Sequence, residues 1–302
     1  MTTYTQIDSN KRRSFALLTS FLLVVILVGW VFSEALNNPL ILYIAVAVAV
    51  TQALIGYYAG DKVTLAISRA KEIKKEDNPN LYNIIENLTI TTGLPMPRIY
   101  IIEDTAPNAF ATGRDPQHSS IVFTRGILEK LDKNEIQGVA AHELSHIKNY
   151  DIRLMTLTVI LAGSIVLLSD LFLRWTIWGR GGDREGGDNQ LQIIFLVIGV
   201  ILALLAPLIA TLIKLAISRK REYLADADGA LMTRYPEGLA GALKKIAADT
   251  EPLEVANKAT AHLYIANPLK EHKGKNSRGW FAGLFETHPP IEDRIQKLEQ
   301  MA

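Results

Sequence analysis

The stretch His142-Glu143-Leu144-Ser145-His146 lies in a segment, 134–150, whose sequence is typical of a helix. Residues four apart share one face of a helix, so the two imidazoles can converge on one metal ion. Glu143 can then approach metal-bound water and accept its proton. The alternative is a chance match on a surface helix with two solvated histidines. The sequence has no cysteine, so a metal here must be held by histidine and carboxylate.

Two histidines leave a zinc site incomplete, because a catalytic zinc ion takes three protein ligands and keeps an open position for water. The segment 219–226 supplies Glu222 as a candidate third ligand. Asp226 follows one helical turn later, where it could accept a hydrogen bond from the outer nitrogen of a ligand histidine. A solvated charged face is the alternative for this segment. The residues thus predict one zinc ion per chain.

Four apolar segments predict membrane spans, since each is close to the roughly 20 residues that cross a bilayer. They cover residues 14–33, 40–58, 154–173 and 193–213. A cleaved signal peptide is the alternative for the first, but a second apolar segment follows at once, which favours a retained anchor. A buried core helix is an alternative for each of the four segments. Asp170 weakens the third prediction, and Pro207 can kink the fourth span.

The distribution of lysine and arginine predicts the orientation of these spans. Basic residues lie at 11–13 and between 62 and 75, and are absent from the turn 34–39. The N-terminus and the segment with the histidine pair are therefore predicted to be cytoplasmic, in a multi-pass protein of the plasma (inner) membrane. The last two spans would form a hairpin that returns Glu222 to the side of His142, although three arginines in its loop weaken this prediction. The formal net charge of +1, with no broad basic face, argues against a nucleic-acid partner.

The sequence favours a mainly α fold (α+β) with a small β-sheet. It divides into a two-helix membrane anchor (1–60), a part with the histidine pair (61–153), a transmembrane hairpin (154–215) and a part with Glu222 (216–302). Helices are predicted at 81–92, from 127, and at 134–150, 216–234, 237–248 and 291–301. Strands are predicted at 98–103 and 119–124, a short extended piece at 108–112, and a loop at 270–286.

Four blocks of the sequence resemble the HtpX heat-shock membrane proteases, which are gluzincins related to the CAAX prenyl proteases. The blocks are Asn108-Ala109-Phe110-Ala111-Thr112-Gly113, His142 to Asp151, Ser218 to Asp226, and Thr287-His288-Pro289-Pro290 ahead of Arg294-Ile295. The resemblance implies a zinc metalloendopeptidase with four transmembrane helices and a zincin-like catalytic domain. It makes His142, His146 and Glu222 the metal ligands, Glu143 the general base and Asp226 a partner that orients a ligand.

The resemblance also implies two further roles. Asn108, Ala109 and Phe110 resemble the edge strand with which gluzincin proteases hold a substrate as an added strand. The alternative for Asn108 is a turn residue. His288 is similar to a family histidine that stabilises the oxyanion, or it caps the final helix.

Other charged and histidine residues carry weaker predictions. Arg219 and Arg221 either pair with carboxylates near the metal or face lipid phosphates. His118, His262 and His272 match no motif and are predicted to lie on the surface.

The resemblance implies hydrolysis of internal peptide bonds in misfolded or damaged membrane proteins at the cytoplasmic face, as part of the stress response. Its partners would be protein substrates and the lipid bilayer, and self-cleavage is expected when zinc is present. One alternative is a processing peptidase with defined substrates, against which four spans rather than a larger helical chamber argue. The other is a catalytically silent membrane scaffold, which has no need of Glu143.

Overall fold

The structure is a computed structural model that describes residues 3–35, 37–178, 219–255, 260–266, 268 and 289–302. Within these ranges the chain forms nine α-helices and four strands. The helices are α1 (Thr3–Ala35), α2 (Leu40–Ile67), α3 (Pro79–Thr92), α4 (Arg125–Lys130), α5 (Lys133–Lys148), α6 (Asp151–Trp178), α7 (Arg219–Thr233), α8 (Pro236–Ala248) and α9 (Ile291–Glu299). The strands are β1 (Lys71–Glu72), β2 (Arg98–Ile102), β3 (Ala109–Asp115) and β4 (His118–Thr124), and a 3₁₀ turn covers Ala261–Leu263. The prediction of a mainly helical fold with a small sheet is confirmed.

Two helices have the length and hydropathy needed to cross a membrane: Thr5–Glu34 within α1, and α2. Most of their apolar surface is exposed, as with Phe15 at 73% and Leu23 at 64%. A soluble protein rarely exposes so much contiguous apolar surface, whereas lipid covers it at no cost. The two helices pack closely at Gly29, because this residue has no side chain, and an added Cβ would clash with the Cβ of Ala45. The two helices therefore indicate a membrane protein.

Helix α6 packs its first turns against both of these helices. Leu154, Leu157 and Leu161 contact Leu17 and Phe21 of α1. On the α2 side, two glycines approach Thr156 and Ile160. The predicted third span, 154–173, lies inside this helix. Its crossing of the membrane remains a prediction, because the two described helices that meet the length and hydropathy criterion for a span are α1 and α2. The predicted fourth span, 193–213, lies outside the described residues.

The four strands form one mixed sheet in the order β1-β2-β4-β3. Strand β2 is antiparallel to β1 and parallel to β4, while β3 is antiparallel to β4 with Ala109 opposite Phe123. The extended piece predicted at 108–112 is thus a full edge strand of seven residues. Near its end, Gly113 has a φ of +146°, and a side chain there would clash with the His118 carbonyl. The sheet therefore presents β3 at one edge.

Helix α5 is the centre of the polar part and packs against β3, α7 and α8. Its buried face, which includes Val139, Leu144 and Ile147, belongs to one apolar core with residues of the sheet and of α8. Its N-terminus has a capping box. The Asp132 carboxylate accepts hydrogen bonds from the backbone N–H groups of Asn134 and Glu135, and the Glu135 carboxylate accepts one from the backbone N–H of Asp132. Such a cap stabilises a helix by about 1 kcal/mol. The core and the cap together hold α5 as a rigid support for its histidines.

Candidate metal centre

Helices α5 and α7 bring together His142, His146 and Glu222. One potential ligand atom from each lies within 4.8 Å of the others, and all three side chains are buried. The two Nε2 atoms are 3.2 Å apart. They lie 3.8 Å and 3.6 Å from the oxygens of the Glu222 carboxylate. The structure thus brings the three predicted ligands to one point.

Asp226 lies beside the first of these histidines, as predicted. Its Oδ1 is 2.9 Å from the outer nitrogen, Nδ1, of His142. Arg294 of α9 holds the same carboxylate through two hydrogen bonds of 2.8 Å and 2.7 Å, and a third, of 2.9 Å, runs to the Ile265 carbonyl. Arg294 is completely buried and lies 3.7 Å from Glu222. Arg294 has no role among the predictions from sequence, although it belongs to the fourth block of the family resemblance.

A second carboxylate orients the other histidine. Asp151, the first residue of α6, places Oδ2 3.0 Å from Nδ1 of His146. Its Oδ1 accepts a hydrogen bond from Asn10 and lies 3.2 Å from Nε of Arg221. Arg221 therefore pairs with a carboxylate near the cluster, which was one of its two predicted alternatives, whereas Arg219 is exposed. No local sequence pattern indicates these contacts of Asp151 and Asn10, which join residues 141 positions apart.

These contacts determine which nitrogen of each imidazole is available to a metal. The Nδ1 atoms of His142 and His146 lie 2.9 Å and 3.0 Å from carboxylate oxygens, which accept hydrogen bonds, so each Nδ1 carries a proton. Nε2 is therefore the nitrogen of each ring that faces Glu222 and is available to a metal. A ligand histidine in a metalloprotein usually has this arrangement. Two histidines and one glutamate form a donor set that zinc uses in catalytic sites with an open position. The residues present therefore fit a zinc ion.

The buried charges shift the acid–base properties of the cluster. Burial lowers the pKa of His142. Burial also acts to lower the pKa of His146, but the hydrogen bond with Asp151 and the charges of Glu222 and Glu143 outweigh it and raise that pKa to about 9. The metal-free cluster thus contains one charged imidazolium, which balances part of its negative charge. Binding a divalent cation must displace that proton.

Glu143 lies between the cluster and the sheet. Its side chain is buried, and burial raises the pKa of its carboxyl group to about 7. The nearby negative charge of Glu222 also raises this pKa, whereas His146 and a hydrogen bond from the Ala111 backbone lower it. A carboxyl group with a pKa near neutrality can both accept and return a proton at ordinary pH.

The predicted substrate-binding residues lie at the start of β3, and all three are buried. The Ala109 carbonyl accepts a hydrogen bond of 2.9 Å from the Ile265 backbone. The Asn108 side chain donates to the Ala266 carbonyl at 3.1 Å, and the Phe110 ring packs edge-on against Tyr264. The residues 264–266 thus cover this part of the sheet edge. Substrate binding by β3 remains a prediction.

The remaining histidines have three different outcomes. His118 is exposed, as predicted, and its Nδ1 lies 2.6 Å from Asp115. The surface prediction for His262 is wrong, because it is 2% exposed, with Nε2 3.3 Å from the Met155 carbonyl. A lone histidine in a single 3₁₀ turn gives no sequence signal of such packing. His272 and the predicted catalytic His288 lie outside the described residues.

The chain is similar to known proteases along most of its length. Residues 75–302 match the model of peptidase family M48. The chain is 45% identical over 298 residues to a protein named "Protease HtpX homolog" from Tropheryma whipplei (strain Twist), covering 99% of this chain and 98% of that protein. A protein of the same name from Dictyoglomus thermophilum is 43% identical, with 99% and 95% covered.

A solved structure shows a related fold. The crystal structure of S. mikatae Ste24p covers 98% of this chain and 67% of its own, with a TM-score of 0.51 and 19% identity. The fold and the His-His-Glu cluster define a membrane metalloendopeptidase. The chain belongs to peptidase family M48, among the HtpX proteases.

Proposed function

We propose that this protein is a zinc-dependent endopeptidase whose metal is held by His142, His146 and Glu222, with Glu143 as the general base. The observation that carries this proposal is the convergence of three buried ligand atoms within 4.8 Å. Glu143 follows the first ligand directly and has a pKa of about 7. A scaffold protein would gain nothing from this arrangement of buried charges, which is costly to fold.

The proposed reaction is hydrolysis of an internal peptide bond. Bound zinc would polarise the substrate carbonyl and lower the pKa of a water molecule. Glu143 takes a proton from the attacking water and returns it to the leaving amine. With a cation bound beside it, Glu143 would have a carboxyl pKa below the metal-free value of about 7, so the carboxylate form that accepts the proton would predominate at neutral pH. The oxyanion role of His288, outside the described residues, is part of the same proposal.

Three buried residues would hold the site in its productive geometry. Asp226 and Asp151 each fix the orientation of one histidine, at 2.9 Å and 3.0 Å. Arg294 fixes Asp226 and offsets its charge. Residues that hydrogen-bond to ligand histidines usually contribute to metal affinity as well as to activity, because a rotated imidazole no longer presents its lone pair to the ion.

We further propose that the substrates are misfolded or damaged membrane proteins, cleaved at the cytoplasmic face. The support is the closeness of the site to the membrane helices: Asn10 of α1 bonds to Asp151, and Asp151 contacts a ligand histidine. A substrate strand that pairs with Ala109 would have to displace Ile265 from its carbonyl. Four spans, with a hairpin at 154–215, and a catalytic part split into 61–153 and 216–302 belong to this proposal.

The test is zinc-dependent cleavage by the full-length protein. The protein is purified in detergent with a chelator, zinc is restored, and cleavage of the chain itself and of an unfolded protein is followed. Glu143→Gln is expected to lower the rate by roughly 10²–10⁴-fold, as loss of a general base does. Glu129→Gln, the same change at an exposed site, is the matched control.

The outcomes separate the proposal from its alternatives. If the wild type and Glu143→Gln both bind zinc and neither cleaves, the silent scaffold is favoured. A processing peptidase would instead cut a few defined sequences and leave a general unfolded protein intact.

A further inference from the structure

Asn10 is a membrane-helix residue that lies in the interior of the protein. Its side chain has no exposed surface. The amide Nδ2 donates to Asp151 Oδ1 at 2.7 Å and to the Asn149 carbonyl at 2.9 Å, across 141 and 139 positions of sequence. An amide with two buried acceptors at these distances is held in one orientation.

The acceptor of the shorter bond is the carboxylate that orients a candidate ligand. Asp151 has Asn10 and Arg221 on Oδ1, and the imidazole of His146 on Oδ2 at 3.0 Å. The two donors on one oxygen fix the plane of the carboxylate. The other oxygen then fixes the rotation of the imidazole ring.

Asn10 also bridges the junction between α5 and α6. Its two acceptors, Asn149 and Asp151, flank Tyr150, whose φ of +60° is left-handed and rare for an aromatic residue. This junction follows the helix of the two histidines directly. The two hydrogen bonds of Asn10 therefore hold both this backbone turn and the Asp151 carboxylate in place beside His146.

The rest of α1 seats Asn10 at this place. About two and three turns further along α1, Leu17 and Phe21 pack against Leu154, Leu157 and Leu161 of α6. The Lys11 ammonium lies 4.6 Å from the centre of the Tyr150 ring. The apolar contacts fix the position of α1 along the axis of α6. This position places the Asn10 side chain next to Asp151.

We infer that Asn10 is a positioning residue, which acts through Asp151 to hold His146 in the orientation that binds the metal. The first membrane helix thereby becomes part of the metal centre, and metal affinity depends on its docking. This inference rests on the proposed function, since it takes His146 as a ligand.

The magnitude follows from the place of Asn10 outside the ligands. Loss of a group that bonds directly to a ligand histidine weakens metal binding by about 10–100-fold. Asn10 acts one bond further out, so the lower end of that range, about tenfold, is expected. Asn10→Leu keeps the volume of the side chain and removes its donor, whereas Asn10→Ala removes both. A positioning role predicts a similar loss of affinity in both variants, while a packing role predicts a loss in Asn10→Ala alone.

The experiment is a competition titration of the metal-free, full-length protein in detergent with Zn²⁺ and a chromophoric chelator. The visible absorption of the Co²⁺-loaded protein is recorded as a second measure of ligand geometry. Ser14→Ala is the matched control, because Ser14 is buried on α1 one turn away and its hydroxyl bonds to the Asn10 carbonyl within the helix. It should bind Zn²⁺ like the wild type. Circular dichroism and melting verify that each variant is folded.

A double-mutant comparison tests the route through Asp151. If Asn10 acts through this carboxylate, Asn10→Leu adds nothing to the loss caused by Asp151→Asn. Wild-type affinity and an unchanged Co²⁺ spectrum in Asn10→Leu, or additive losses in the double variant, would overturn the inference and leave the proposed function intact. If Asn10→Leu does not fold, the same double comparison with Asn10→Ala decides. A wild type that binds neither ion would overturn the proposed function, and the inference with it.

Discussion

Replacement of Arg294 by methionine is expected to destabilise the metal-free protein strongly. Methionine keeps most of the length of the side chain but leaves the Asp226 carboxylate buried without its cation. Two hydrogen bonds to a charged acceptor, at about 1.5–3 kcal/mol each, give about 3–6 kcal/mol. Removal of one partner from a buried ion pair independently suggests about 3–5 kcal/mol. For a folded unit of about 150–250 residues, a loss of about 3–6 kcal/mol lowers the melting temperature by roughly 6–24 °C.

The prediction is checked by thermal melting of chelator-treated protein in detergent. The matched control is Arg125→Met, which breaks an equally short but exposed pair with Glu103, with bonds of 3.1 Å and 2.7 Å. An exposed pair contributes at most about 1 kcal/mol, so this variant should melt within about 4 °C of the wild type. Adding Asp226→Asn to Arg294→Met should restore much of the stability, because the amide needs no cation. Equal melting of Arg294→Met and Arg125→Met would refute the argument from burial.

The remaining predictions concern the metal, the helix contact and the sheet edge. Zinc affinity should fall about tenfold per pH unit from about pH 8 to 6, because His146, with a pKa of about 9, must lose its proton to bind; a flat calorimetric profile would contradict this. Gly229→Leu should cost about 1–3 kcal/mol by overpacking and should weaken zinc binding, since an added Cβ would lie 3.1 Å from the backbone nitrogen of His142. Thermal melting and zinc titration measure the two effects. Gly163→Leu is the control, because a Cβ added there meets open space. Asn108→Ala should cost about 1–3 kcal/mol in melting experiments, because it removes the donor to the buried Ala266 carbonyl; an unchanged melting temperature would show that this bond contributes nothing.

The sequence predicted the parts of the site that depend on local geometry. The spacing of His142 and His146 reports helix geometry directly, and the incomplete ligand set pointed to a carboxylate such as Glu222. The helices at 81–92, 134–150 and 237–248 could be predicted because their apolar residues recur with the helical period.

Other parts depend on tertiary packing, which local patterns do not report. Arg294 lies in a charged stretch beside Glu292 and Asp293, and such a stretch usually indicates a solvated face. Its partner Asp226 is 68 positions away. Strand β1 consists of Lys71 and Glu72 and exists because it pairs with β2, not because of its own propensity.

The two ligand histidines are oriented by two separate arrangements, and this separation has a physical consequence. Asp226 takes its orientation from Arg294, in the last helix, and acts on His142. Asp151 takes its orientation from Asn10, in the first helix, and acts on His146. No pattern within α5 could position both imidazoles in this way, because each outer nitrogen needs an acceptor from outside the helix. Since metal-binding free energy adds to folding free energy where the ligands are ordered by the fold, the proposed zinc ion would join the two ends of the chain at one point. Disturbing either end then weakens one ligand and leaves the other in place.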